Sequence, residues 1–272
     1  MNALPKRILS IDVLRAVTMF LMIFVNDVAG VSHIPDWIKH TEANEDGMGF
    51  SDIIFPAFLF IVGLSMPFAL QNRIKKGNSL PSNTYYILLR SLALIIMGFF
   101  QVNLENYDRS SASLPYPVYT ILITISFFLI WLAYPSTMSK TMKNLLIIAG
   151  VILLITLAFF YKGGSAAHPE GLKPHWWGIL GIIGWAYLVS AFVYLLSKRN
   201  MLVLAIAFTL FAGINMATHT GNLNIHLWTI GDASAVTLML AGILIAELYE
   251  KLMIQKKYLD FHTKKFEHLH KR

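Results

Sequence analysis

Followed from one end to the other, the chain alternates between long apolar runs and short polar connections. Runs of about 20 mostly apolar residues, enough helix to cross a bilayer, fall at roughly 8–30, 52–71, 84–102, 117–134, 143–161, 177–197, 200–217 and 229–250. The pattern predicts an all-α fold: a polytopic transmembrane helical bundle of about eight spans, forming a single domain over 1–272. The seventh run is short, and its boundary with the sixth is narrow. Between runs stand turn-forming stretches such as Lys75–Asn78 (KKGN) and Tyr161–Gly171 (YKGGSAAHPEG). The first run lacks a small-residue cleavage site, so it reads as a retained helix and not a signal peptide. No internal repeat of the kind that builds many transporters is evident. Pro56 and Pro67 predict kinks or turns in the second span.

Composition and charge sharpen this picture. Hydrophobic residues make up 56% of the chain and charged residues 14%, with a mean hydropathy of +0.59. A soluble domain of that composition would have too little polar surface to cover itself. Cysteine is absent, which excludes disulfides, thiolate nucleophiles and thiolate metal sites. The net charge of +7 does not form a nucleic-acid patch: seven of the 22 Lys and Arg lie between Lys251 and Arg272, and most others fall in the connections. A cytoplasmic N-terminus puts Lys6, Arg7, Arg73, Lys75, Lys76, Lys140, Lys143, Lys198, Arg199 and the tail on the inner side. Lys39, Arg109, Lys162 and Lys173 remain outside. That bias predicts both termini in the cytoplasm, with inner loops against anionic lipid headgroups. His33, His40, His168, His175, His219 and His226 then gather at the outer face.

The first run carries unusual polar residues. Asp12, Arg15, Met19, Met22 and Asn26 recur three or four apart and share one helical face. Arg15 and Asn26 stand about 16 Å apart along the axis. An intramembrane Asp12–Arg15 pair marks a functional site by default, or else anchors the helix at the cytoplasmic surface. His40 can accept or donate a proton or act as a nucleophile, or it can simply be a solvated loop histidine; His33 has a similar claim. Asp36, Glu42, Glu45 and Asp46 flank His40 and are placed to fix its tautomer. Asp52 reads as a helix-start carboxylate. Asp52, Glu42 and Asp46 are also substrate-binding candidates, together with Asn103, which with Glu105 and Asn106 is placed to line an outer pocket. Trp176 and Trp177 read as interfacial aromatics, or as a surface for stacking on a sugar. No HxxxH or HExxH spacing occurs, so no metal site is expected.

Two stretches carry a family resemblance. "RILSIDVLRAVTMFLMIFVND" followed by "HTEANEDGMGFSDIIFPAFLFIVGLS" resembles the bacterial relatives of heparan-α-glucosaminide N-acetyltransferase. Ser10, Asp12 and Arg15 match the family's first-helix motif, with Ala16 where a glycine is usual. Val25 and Asn26 match its V-N pair, His40 and Glu42 its loop, and Asp52 through Gly63 its second helix. "WWGILGIIGWAYLVSAFVYLL" and "GDASAVTLMLAGILIAEL" are similar to later helices. The resemblance implies a multi-pass transmembrane acyltransferase of the bacterial inner membrane. It would move acetyl from cytoplasmic acetyl-CoA to the amino group of glucosamine or a related amino sugar outside. It further implies catalytic roles for His40 and Asn26, a homodimer, and further C-terminal helices that this chain lacks. Arg15, with Asp12, Arg73 and Arg90, would then be cofactor-binding residues meeting the polyanionic CoA headgroup. A sugar transporter explains Asp12 and Arg15 equally well, and a membrane O-acyltransferase also has an early arginine and histidine.

Overall fold

The computed structural model of the chain describes residues 9–28, 30–42, 45, 47–165, 167–221 and 227–270, with side chains in the last helix described to Met253 and at Gln255. Every predicted run is a helix: α1 Leu9–Val28, α2 Phe50–Lys75, α3 Leu80–Asn103, α4 Tyr116–Trp131, α5 Lys140–Phe160, α6 Gly178–Ser197, α7 Met201–His219 and α8 Ser234–His270. Among the described residues, six are long and apolar enough to cross a membrane, namely α1, α2, α3, α5, α6 and α7. The expected eight exceeds this for two physical reasons. Helix α4 has only 16 residues, and α8 brings Glu247, Glu250 and Lys251 into its middle. Among the described residues the one sheet is an antiparallel hairpin, β1 Gly163–Ser165 with β2 His168–Glu170, in a connection whose sequence reads only as turn. Pro56 and Pro67 both lie inside a continuous α2, as spanning helices tolerate when neighbours serve the freed carbonyls.

The chain forms two compact units, Met1–Leu88 with Ala186–Arg272, and Leu89–Trp185. In the second, Phe100, Tyr107, Tyr119, Ile123, Leu154, Leu157 and Tyr161 make a buried core between α3, α4 and α5. Its tyrosines keep their hydroxyls satisfied by donating to backbone carbonyls: Tyr119 to Leu157 (3.0 Å) and Tyr161 to Asn103 (2.9 Å).

In the first unit, α2 is packed by α1 on one side and α8 on another, and α7 packs on α8. The α2–α8 approach is backbone to backbone. A Cβ on Gly63 would overlap the Met239 carbonyl, and one on Gly242 the Phe60 carbonyl. Such small-residue contacts are how helices in lipid gain packing without a hydrophobic driving force. Eight residues further along each helix, Gln71 meets Glu247 at 3.0 Å, so α2 and α8 run parallel. Leu59, Met66 and Leu70 of α2 and Val236, Met239, Leu240 and Ile243 of α8 are almost wholly buried around this seam.

A buried polar network closes the far end of the seam. Glu247 is fully buried and accepts from Tyr194 (2.8 Å), Gln71 and Arg199. Arg199 also donates to Glu250 (2.8 Å) and to the side-chain amide oxygen Oε1 of Gln71 (3.1 Å). These carboxylates hold the Arg199 guanidinium charge more firmly than its burial opposes it. A buried carboxylate survives only with this degree of partnership.

Gly63→Leu and Gly242→Leu should each lower the melting temperature of the detergent-solubilised protein through overpacking, costing about 1–3 kcal/mol or more. Gly213→Ala, on an open face of α7, should leave it unchanged. An unchanged melting temperature in the first pair would refute the close approach. Glu247→Ala, by removing the buried carboxylate that Arg199, Tyr194 and Gln71 share, should destabilise by about 3 kcal/mol in the same measurement.

Candidate functional site

The described site is built where α1 ends and α2 begins. The chain leaves α1 at Val28 and turns through a short 3-10 segment at Asp36–Ile38, then enters α2 at Gly49. A Cβ at Gly49 would overlap the Lys39 carbonyl, so only glycine lets the two strands of this connection lie together. Ser51 ties them by donating to the Ile38 carbonyl.

Asp52, third residue of α2, is the hub. One carboxylate oxygen accepts from the backbone N–H of Gly49 (2.9 Å) and of Thr41 (3.0 Å). The first of these satisfies an orphan donor of the helix start, where negative charge also complements the dipole. The other oxygen lies 2.7 Å from Nδ1 of His40. Asp52 therefore caps α2, pins the residue after His40 and orients the imidazole, all with one side chain that is 27% exposed. With Nδ1–H donated to Asp52, Nε2 carries the lone pair. The His40 side chain is 55% exposed, and among the described residues Nε2 has no hydrogen-bond partner. A carboxylate–imidazole pair with one free nitrogen is equipped for general base or nucleophilic work.

The partner of His40 is thus twelve residues downstream, not among the acids that flank it. Asp36 is engaged with Lys39 at 2.7 Å, whose hydrogen bond and charge hold its carboxyl below the usual range. Glu42 and Glu45 are exposed, and Asp46 lies outside the described residues. His33 is exposed and has a left-handed backbone.

Asn26 stands in the last turn of α1. Its Nδ2 donates to the Met22 carbonyl at 2.7 Å, which leaves the second amide hydrogen and the carbonyl oxygen. The side chain is exposed, and no hydrogen bond joins it to His40 among the described residues. Asp12 and Arg15 do pair, at 2.9 Å, and are 24% and 43% exposed. Arg73 is held against the start of α3, donating to Asn83 Oδ1 at 3.1 Å and lying 4.2 Å over the Tyr86 ring.

Arg90, Asn103, Glu105, Asn106, Trp176 and Trp177, all singled out in the sequence, belong to the second unit. Arg90 is exposed on α3. Asn103 is fully buried and clasps Lys173, donating to its carbonyl (2.9 Å) and accepting from its N–H (3.0 Å), while also donating to the Phe99 carbonyl (2.7 Å). That clasp fixes the segment in which His175 meets Asn106 (3.2 Å) and Trp176 donates to Glu105 (3.2 Å).

Sequence reasoning missed a second histidine–carboxylate pair in the first unit. Nε2 of His219, last residue of α7, lies 2.7 Å from Asp232 Oδ2, thirteen residues on. Asn215 donates to the same oxygen at 3.1 Å. Only the order His–turn–Asp–helix, shared with His40 and Asp52, gives a signal in the sequence.

A family model described as "Domain of unknown function (DUF5009)" matches residues 7–239. Heparan-α-glucosaminide N-acetyltransferase of Homo sapiens is 35% identical over 107 residues, 39% of this chain and 15% of the human protein. The Mus musculus protein of the same name is 32% identical over 102 residues, 38% of this chain and 15% of its own length. The chain is related to these proteins, and the matched stretch spans about one seventh of each. No solved structure matches the chain.

Asp52→Ala should raise amide hydrogen exchange at Thr41 and Gly49 on the order of five- to tenfold, corresponding to a lost cap of about 1 kcal/mol. Amides in the middle of α2 should not change. Equal exchange in both proteins would show that Asp52 does not hold this connection.

Proposed function

The chain belongs to the DUF5009 family, and from that premise we propose that it is a transmembrane N-acetyltransferase acting on an amino sugar such as glucosamine, with acetyl-CoA as donor and a bacterial inner membrane as its setting. The observation that carries the reading is the His40–Asp52 pair at the mouth of α2. Acyl transfer to an amine needs a base for the nitrogen proton, and a fixed imidazole with a free Nε2 supplies one. The names of the related proteins supply the acyl group and the acceptor class.

In this reading the acceptor amine attacks the thioester carbonyl, the C–N bond forms, and His40 Nε2 takes the nitrogen proton. The C–S bond then breaks and the proton passes to the departing thiolate. Asp52 holds the ring and stabilises the imidazolium between these steps. Asn26 offers its remaining amide hydrogen to the tetrahedral oxyanion, a donor whose removal typically costs about 3–4 kcal/mol. Arg15, half-exposed and balanced by Asp12, is the cation at the other end of α1 for an anionic donor headgroup. Arg73 fits that role less well, because Asn83 and Tyr86 already hold it.

Purified protein given labelled acetyl-CoA and glucosamine should form N-acetylglucosamine. His40→Ala and Asn26→Ala should each lower kcat at least 10²-fold, with donor binding retained. Asp52→Asn should lower kcat with KM for the donor unchanged. Wild-type activity that survives His40→Ala would overturn this site. Glucosamine crossing the membrane without acetylation would favour a transporter.

A further inference from the structure

The His219–Asp232 pair repeats the construction of His40–Asp52. In both, a carboxylate at a helix start accepts from backbone N–H, two groups at Asp52 and one at Asp232, and holds an imidazole contributed by the preceding segment. For Asp232 the N–H is that of Ser234, at 3.0 Å. Burial alone would raise the Asp232 pKa, but hydrogen bonds from Ser234 and His219 outweigh it and hold the carboxyl below the ordinary range. The carboxylate is already served by Asn215 and Ser234, so its own satisfaction does not require the histidine. The His219 side chain is 67% exposed, with Nε2 turned in to Asp232 and, among the described residues, no hydrogen-bond partner on Nδ1.

Helix register brings the two pairs to one end of the first unit. Helices α2 and α8 run parallel, and their closest approach sets Gly63 against Met239. Counting back toward the helix starts, Asp52 lies about 16 Å from that contact along α2. Ser234 lies about 8 Å back along α8, with Asp232 just beyond it. The buried Gln71–Glu247–Arg199 network occupies the opposite end of the same seam.

We propose that His219 and Asp232 form a second acid–base pair, which removes the proton that the acceptor's ammonium group must lose before it can attack. The inference rests on the acetyltransferase reading above. An amino sugar arrives largely as R–NH3+, which has no lone pair for the carbonyl. One N–H bond breaks, its proton goes to His219 Nδ1, and the lone pair stays on nitrogen. The imidazolium, paired with Asp232, then releases that proton to water from its exposed edge. The C–N bond forms and the C–S bond breaks. The second nitrogen proton travels through His40 to the thiolate, so the overall products are amide, thiol and one proton. Two imidazoles match the two protons that an ammonium loses on becoming an amide.

The test compares acceptors of different basicity on the full chain. With glucosamine, His219→Gln and Asp232→Asn should each slow transfer on the order of 10²-fold. With hydroxylamine, which is already neutral at the assay pH, the enzyme-dependent rate (after subtraction of its uncatalysed reaction with the thioester) should stay within about threefold of wild type in both variants, because only the ammonium needs the second base. A purely structural role would slow both acceptors alike, and that result overturns the proposal. So does unchanged transfer to glucosamine. Wild-type protein that acetylates neither amine would overturn the acetyltransferase reading and this inference with it, and is told apart by the absence of any wild-type rate.

Discussion

The first unit depends on one backbone contact, the crossing of α2 and α8 at Gly63 and Gly242. Lipid gives apolar side chains no reason to leave it for one another, so helices in a membrane hold together through close packing and through polar groups that lipid cannot satisfy. This seam uses both. Two glycines let the backbones touch, and eight residues on, Gln71, Tyr194, Arg199, Glu247 and Glu250 satisfy one another. Because the crossing fixes the register of two parallel helices, it also fixes which residues share an end. The start of α2, with Asp52, and the start of α8, beside Asp232, face the same way as a consequence of Gly63 meeting Met239.

Asp52 shows how much a single carboxylate can organise. Its two oxygens serve Gly49, Thr41 and His40, so helix capping, loop closure and imidazole orientation are one interaction, not three. A residue with only a structural duty would not need the ring, and one with only a chemical duty would not need the amides. Asn103 does something comparable in the second unit, where its amide fixes Lys173 and thereby the segment carrying His175 and Trp176.

The helices were legible in the sequence because a 20-residue apolar run has few other fates. Several ends fall within a few residues of the apolar runs, as for α1 and α7, whereas α8 continues to His270, twenty residues past the end of its run. The hairpin at 163–170 was not, since three-residue strands are too short to show an alternating pattern. His40 and Asp52 were each recognisable by type and place, yet their pairing was not: the twelve-residue separation has no helical periodicity, and four acids closer in sequence competed for the assignment. His219 and Asp232 were hidden by separation alone, thirteen residues without helical periodicity. The Glu247 network was unreadable because its members come from α2, α6, the α6–α7 turn and α8, and only the α2–α8 register brings them together.

Arg199 also ties together parts of the fold that are far apart along the chain. It sits in the α6–α7 turn with left-handed backbone at itself and at Lys198, a conformation that non-glycine residues hold only when their surroundings demand it. Those surroundings are Gln71, 128 positions earlier, and Glu247, 48 positions later. In chain order the turn follows α2 and precedes α8. Its guanidinium finds its carboxylates, Glu247 and Glu250, only on α8. Packing of α8 on α2 therefore completes the network, so the strained turn at Arg199 and the α2–α8 seam stand or fall together.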